Sequence, residues 1–155
     1  MYSQQEKAVL AQAADILKKK LLVKEAQSVI EQPEAVRDYC RYSIVMQERE
    51  VFGVMLLGNQ LRLIESKTLF LGSITHADVY PREVVKLALN YNAAAVIFYH
   101  NHPSGACEGS DADRRLTRRL TDALALVEVR VLDHIVVATH RLVSSWCMKS
   151  WNQWA

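Results

Sequence analysis

Two histidines one residue apart, His100 and His102, close an apolar run and open a loop crowded with metal-ligand side chains. That loop reads Tyr99-His100-Asn101-His102-Pro103-Ser104-Gly105-Ala106-Cys107-Glu108-Gly109-Ser110-Asp111-Ala112-Asp113. In extended chain, residues i and i+2 point to the same side, so both imidazoles can reach one ion, and Asp113 offers a third ligand. Three protein ligands with an open fourth position is the catalytic arrangement for zinc, because a water held there has its pKa lowered to about 7. Alone, His-x-His also fits two histidines capping a strand. Ser110-Asp111-Ala112-Asp113 equally fits a helix N-cap with an acid near N3, where negative charge favours the helix dipole. The cap and the ligand are compatible, since a cap holds Asp113 in a rigid first turn facing the loop from which His102 projects.

The elements that must position these residues follow from periodicity. Ala93 to Tyr99 reads as a buried β-strand, and Ser110 opens a helix in which Leu116, Leu120, Ala123, Leu124 and Val127 form one stripe. Upstream, Gln5 to Leu22 reads as a helix and Pro33 to Tyr42 as a second, with Cys40 on its apolar face. Val51 to Leu57 is too apolar for a one-faced strand and reads as a central one; Gly58-Asn59-Gln60 turns the chain into Leu61 to Ile64, giving a hairpin. A further extended stretch is expected over Lys67 to Thr75, with Gly72 marking a bend or bulge. Pro81 at N1 starts a helix after Tyr80. Val129 to Ala138 reads as a strand, followed by a turn at Thr139-His140-Arg141 and a short strand Leu142 to Ser144. Helices, a hairpin, then alternating β and α predict an α/β (α+β) sandwich built on a mixed sheet. The expected divisions are a helical extension over 1–45, a central domain over 46–145 and a Trp-rich tail over 146–155.

The chain has 155 residues, 50% of them hydrophobic and 23% charged, which fits one compact domain. A formal net charge of +2 is too mild to imply nucleic-acid binding by itself. Cys40, Cys107 and Cys147 are odd in number and irregularly spaced, so no disulfide framework is expected and a reducing, cytoplasmic home is the simpler reading. Gln4, Gln5, Glu6 and Lys7 stand where a signal peptide needs apolar residues, and no apolar run approaches the ~20 residues of a membrane span.

His100-Asn101-His102, then seven residues, Ser110, two residues and Asp113 resembles the complete His-x-His-x7-Ser-x-x-Asp signature of the JAMM metalloproteases, also called the JAB or MPN domain. The wider text resembles the bacterial RadC family: Tyr80-Pro81-Arg82-Glu83-Val84-Val85, Asn92-Ala93-Ala94-Ala95-Val96-Ile97, His100-Asn101-His102-Pro103-Ser104-Gly105 and Val131-Leu132-Asp133-His134-Ile135-Val136-Val137. The resemblance runs from about Arg49 to Ser144. It implies a JAB/MPN-like, cytidine-deaminase-like fold, and one zinc ion held by His100, His102 and Asp113. It assigns Ser110 to orient or stabilise an oxyanion. The family also needs a strand-initial glutamate as general base; Glu50 is the matching position, Glu48 the fallback and Glu65 a third choice. A carboxylate there can accept a water proton and pass it to a leaving amine, as peptide or isopeptide hydrolysis requires.

Other residues carry blander readings. Cys107, Glu108 and Asp111 are read as loop residues, and Asp133 and His134 as makers of a structural hydrogen bond beside an apolar strand. Arg114, Arg115, Arg118 and Arg119 form an exposed helix face, whose functional alternative is contact with DNA phosphates or an acidic substrate. Trp146, Trp151 and Trp154 either fold back on the core or form an apolar docking or homodimer surface. The expected partner is a peptide or protein substrate, with no membrane. The competing class is a DNA-repair accessory or interaction module whose zinc site is structural or vestigial. The stretch before Glu50 lacks the Gly-rich turns of the helix-hairpin-helix region in full-length RadC proteins, so DNA binding by that route is not expected.

Overall fold

The computed structural model describes residues 2–22, 28–44, 47–72, 79–103, 105, 109–140 and 145–150. Its elements are α1 (Gln4–Leu22), a 3-10 turn (Val29–Glu31), α2 (Pro33–Ile44), β1 (Val51–Leu57), β2 (Leu63–Leu71), α3 (Pro81–Asn90), β3 (Ala95–His102), α4 (Asp111–Ala125), β4 (Arg130–His140) and β5 (Ser145–Ser150). The five strands form one sheet in the order β2-β1-β3-β4-β5. Among the described strands only β3 and β4 run parallel, joined through α4; the other neighbours are antiparallel. The mixed sheet with helices on both faces is the α/β sandwich expected.

Strand alternation divides the core in two. On one face Val51, Met55 and Leu57 of β1 and Ala95, Ile97 and Tyr99 of β3 pack with Leu21 of α1 and Val36, Tyr39, Cys40 and Ile44 of α2. On the other, Phe52, Val54 and Leu56 of β1 and Val96 and Phe98 of β3 pack with Val84 and Ala88 of α3 and Leu120 and Leu124 of α4. β1 throughout and β3 as far as Tyr99 are therefore apolar, as strands covered on both sides must be. Burial of one such side chain contributes on the order of 1.5–3 kcal/mol. Parity also fixes the site: His100 and His102 point to the α3/α4 face with Val96 and Phe98, and a residue at 50 shares the face of Phe52.

Three local expectations change. Leu61–Ile64 and Lys67–Thr75 were expected as separate stretches, but β2 runs unbroken from Leu63 to Leu71 with register shifts in its pairing to β1. The polar Glu65-Ser66 step looks like a break in sequence, yet each finds a tertiary partner: Glu65 pairs with Lys18 and the Ser66 hydroxyl meets the Tyr99 hydroxyl at 2.8 Å. Thr139 and His140 continue β4 instead of turning, because Ser145–Ser150 pairs with it through His140↔Ser145. Residues 146–150 of the Trp-rich tail thus belong to a strand, while Leu142–Ser144, Trp151 and Trp154 lie outside the described residues. Gly72 falls just past β2, and its N–H donates to the Glu50 carbonyl at 2.7 Å.

Candidate metal centre

Two histidines, one acid and a distant glutamate converge where β3 ends, α4 begins and β1 starts. One ligand atom from each of Glu50, His100, His102 and Asp113 can be chosen so that all lie within 4.8 Å of one another. His100 and His102 come from the last turns of alternation in β3. Asp113 comes from the first turn of α4, and half-buried Glu50 immediately precedes β1. The Nε2 atoms of His100 and His102 are 2.8 Å apart, and they lie 3.3 Å and 3.0 Å from the two oxygens of Asp113.

The start of α4 fixes the acid through a capping box. Ser110 Oγ accepts from the Asp113 N–H at 3.1 Å, and the Ser110 N–H donates to Asp113 Oδ2 at 2.8 Å. Burial pushes the Asp113 carboxyl up, but hydrogen bonds from His100 and His102 outweigh it and hold the group well below the usual carboxylate range. Asp113 is therefore an anion at neutral pH, aimed at two ring nitrogens.

A second layer stands behind His100. Its Nδ1 lies 2.6 Å from Nε2 of His134, whose Nδ1 lies 2.6 Å from the Thr117 hydroxyl, and that hydroxyl donates to the Asp113 carbonyl at 2.8 Å. His134 is 0% exposed, and burial, then the neighbouring His100, pushes its pKa well below the ordinary value. Its neutral ring is enclosed by Phe52 and Phe98, with centroids at 5.5 Å and 5.8 Å. Asp133 does not enter the cluster; its Oδ1 accepts from the His134 backbone N–H at 2.8 Å.

The donor set fits a metal ion. Two imidazole nitrogens that face each other and a carboxylate across less than 3.5 Å repel unless a cation, proton or metal, lies among them. Two nitrogens and a carboxylate oxygen suit zinc, and the bonds from His100 to His134 and from the Ser110 N–H to Asp113 are the usual support of metal ligands.

The structure brings Glu50, and neither fallback, to this cluster. Glu48 is exposed and lies 3.9 Å from Lys7, while Glu65 pairs with Lys18 on β2. Ser110 caps α4 beside Asp113. Asp111 is exposed and pairs with Arg114 at 3.0 Å; Arg115, Arg118 and Arg119 are exposed on the side of α4 away from Asp113, Thr117, Leu120 and Leu124. Cys107 and Glu108 lie outside the described residues. Sequence reasoning missed Thr117, although it follows Asp113 by one helical turn, and it gave no part to Asn101, whose amide bonds the backbone of Arg49 and Val51.

Comparison with known proteins agrees with the resemblance. The family model described as "RadC-like JAB domain" matches residues 30–150. The chain is 52% identical over 147 residues to a "UPF0758 protein" of Vibrio cholerae serotype O1, covering 95% of this chain and 90% of that one. It is 59% identical over 116 residues to a "UPF0758 protein" of Cellvibrio japonicus, covering 75% of this chain and 52% of the relative. A third, from Ectopseudomonas mendocina, is 54% identical over 133 residues, 86% of this chain and 58% of its own. Among the described residues, no helix is long and apolar enough to cross a membrane.

Proposed function

The chain belongs to the RadC-like JAB domain family, and on that premise we propose that it is a zinc-dependent hydrolase of the JAMM type, cleaving a peptide or isopeptide bond. One observation carries the reading: Glu50, fifty residues upstream of the histidines in sequence, joins His100, His102 and Asp113 in one cluster. Glu50 is the second carboxylate of the cluster and half-buried: beside three ligands and an open position it can serve as a base, whereas in a closed structural site it would be the fourth ligand, and the Glu50→Gln variant separates the two.

His100, His102 and Asp113 would hold the ion. Zinc so held supplies a Lewis acid and lowers the pKa of a water to about 7. Glu50 takes a proton from the attacking water and returns it to the leaving amine nitrogen, so the C–N bond breaks to give a carboxylate and a free amine. Ser110 contributes its hydroxyl to the carbonyl oxygen as charge develops there, from a helix start that its own cap makes rigid. Phe52 and Phe98 wall off the side of the cluster nearest His134, which strengthens every charge interaction inside.

Metal analysis of the purified protein, with cleavage of a mixed synthetic peptide library read by mass spectrometry, tests this. Wild type should carry zinc and His100→Ala/His102→Ala should not. Glu50→Gln should keep zinc and lose about 10²–10⁴-fold in turnover, the usual range for a general base. Zinc-loaded Glu50→Gln with wild-type turnover would remove Glu50 from the role.

A further inference from the structure

The β1/β3 ladder runs from Leu57↔Ala95 to Phe52↔His100 and stops there. Beyond that point the side chain of Asn101 takes over from the backbone. Its Oδ1 accepts from the Val51 N–H at 2.6 Å, and its Nδ2 donates to the carbonyls of Arg49 at 2.9 Å and Gln47 at 3.2 Å. Asn101 is only 3% exposed, so these bonds are made away from water, where leaving such groups unpaired costs about 1–3 kcal/mol each. One acceptor and two donors on a short side chain is the inventory of an asparagine amide; aspartate, leucine or serine cannot supply it.

Two of the three partners are the peptide groups on either side of Glu50. The Arg49 carbonyl precedes it and the Val51 N–H follows it, so the amide grips the main chain around that one residue. From the β2 side, the Gly72 N–H donates to the Glu50 carbonyl at 2.7 Å. Alternation puts the Asn101 side chain on the α1/α2 face with Tyr99, while His100, His102 and Glu50 share the other face. Asn101 therefore acts on the cluster through the backbone that carries Glu50.

We propose that Asn101, the residue between the two histidines, is the positioning residue for Glu50: the segment that supplies the metal ligands also sets where the base stands. This rests on the reading of Glu50 as general base. A purely structural role, sealing the end of the β1/β3 pair, predicts lost stability with an unaltered site. Positioning predicts a changed site with the metal ligands intact.

The test uses full-length wild type, Asn101→Ala, Glu50→Gln and the double variant, each loaded with Co2+ in place of zinc and followed by the pH dependence of its visible spectrum. Hydrolysis of the peptide library and Zn2+ affinity are measured in parallel. Asn101→Ala should keep wild-type Zn2+ affinity, move the spectral midpoint in the same direction as Glu50→Gln, and lose about 10- to 100-fold in turnover, as a misplacement near 1 Å does. The double variant should move no further than Glu50→Gln. If Asn101→Ala keeps the wild-type midpoint and turnover while Glu50→Gln changes both, the proposal fails and the base reading stands. If Glu50→Gln itself changes neither, the base reading fails and takes the proposal with it. Should Asn101→Ala not fold, Asn101→Asp keeps the acceptor for Val51 and loses both donors; it should give a shift of the same kind, and a wild-type midpoint in that variant overturns the proposal.

Discussion

His100 and His134 meet ring to ring, Nδ1 to Nε2 at 2.6 Å, and that contact decides which nitrogen of His100 faces the candidate metal position. The Thr117 hydroxyl commits its hydrogen to the Asp113 carbonyl, so its oxygen accepts from His134 Nδ1–H. Neutral His134 then presents Nε2 as an acceptor and His100 donates from Nδ1, so a metal ion would take the place of the proton that His100 Nε2 otherwise shares with Asp113 and would meet the lone pair of that nitrogen. Thr117→Val, close in shape but without the hydroxyl, releases this chain of bonds. It should lower zinc affinity roughly 10- to 100-fold, the usual effect of losing such a supporting partner. Competition against a chromophoric chelator measures it, and unchanged affinity would show that the tautomer is set elsewhere.

Lys18 and Glu65 tie α1 to β2, each about a quarter exposed. Burial pushes the Glu65 carboxyl up, but its bonds to Lys18 and the Ser66 N–H prevail and lower it; burial pushes Lys18 down, but Glu65 prevails and raises it. A lowered carboxyl contributes stability that is present above its ordinary value of 4.5 and is lost as pH falls through the folded-state pKa. The raised amine contributes below 10.5, and that part is lost only as pH rises through its folded-state value. Lys18→Met should therefore cost about 0.2–1 kcal/mol at pH 7, a shift of a few degrees at most, and the difference from wild type should shrink as pH falls below that of the free carboxyl. Thermal melts from pH 7 to pH 4 check both parts; a difference that grows in acid contradicts the assignment.

The architecture and three members of the cluster, His100, His102 and Asp113, were legible because each rests on a short-range pattern. Apolar runs at 51–57 and 93–99 mark strands covered on both sides, and the His-x-His and Ser-x-x-Asp spacings hold from strand alternation and a helix cap alone. Glu50 was reachable only through resemblance, since nothing local ties it to residues fifty or more positions away. β2 was cut in two because the partners that make Glu65 and Ser66 tolerable in a strand, Lys18 and Tyr99, are tertiary. Thr117 and Asn101 escaped for the same reason: their importance lies in whom they bond. The strand Ser145–Ser150 was hidden by its own composition, where three tryptophans between 146 and 154 drew attention from the alternation.

Cys40 offers a check on the packing of α2 against the sheet. It is 0% exposed, with its sulfur 3.9 Å from that of Met55, and burial pushes its thiol far above the ordinary range. Since the thiolate is the reactive form, Cys40 should stay unlabelled by a maleimide at pH 8 in the folded protein and react once denaturant is added. Mass spectrometry of tryptic peptides assigns the label to its cysteine. Rapid native labelling at Cys40 would mean that α2 opens readily.

Gly53 and Tyr99 face each other across β1 and β3, one register step from the His100 pair. A Cβ at 53 would lie 2.2 Å from Tyr99 Cζ and 2.6 Å from its hydroxyl oxygen, far inside contact distance. The ring cannot yield cheaply, being buried, bonded to Ser66 at 2.8 Å and set edge-on against Tyr39 with centroids 6.0 Å apart. Gly53→Ala should therefore destabilise by about 1–3 kcal/mol, as overpacking of a filled core does. Trimming the obstacle should recover part of that loss, so Gly53→Ala combined with Tyr99→Leu should cost less than the sum of the two single changes. Urea unfolding of the four proteins decides it. Strict additivity would mean that the strands separate to admit the methyl group, and zinc affinity would then fall in Gly53→Ala as the spacing between Glu50 and the histidines widens.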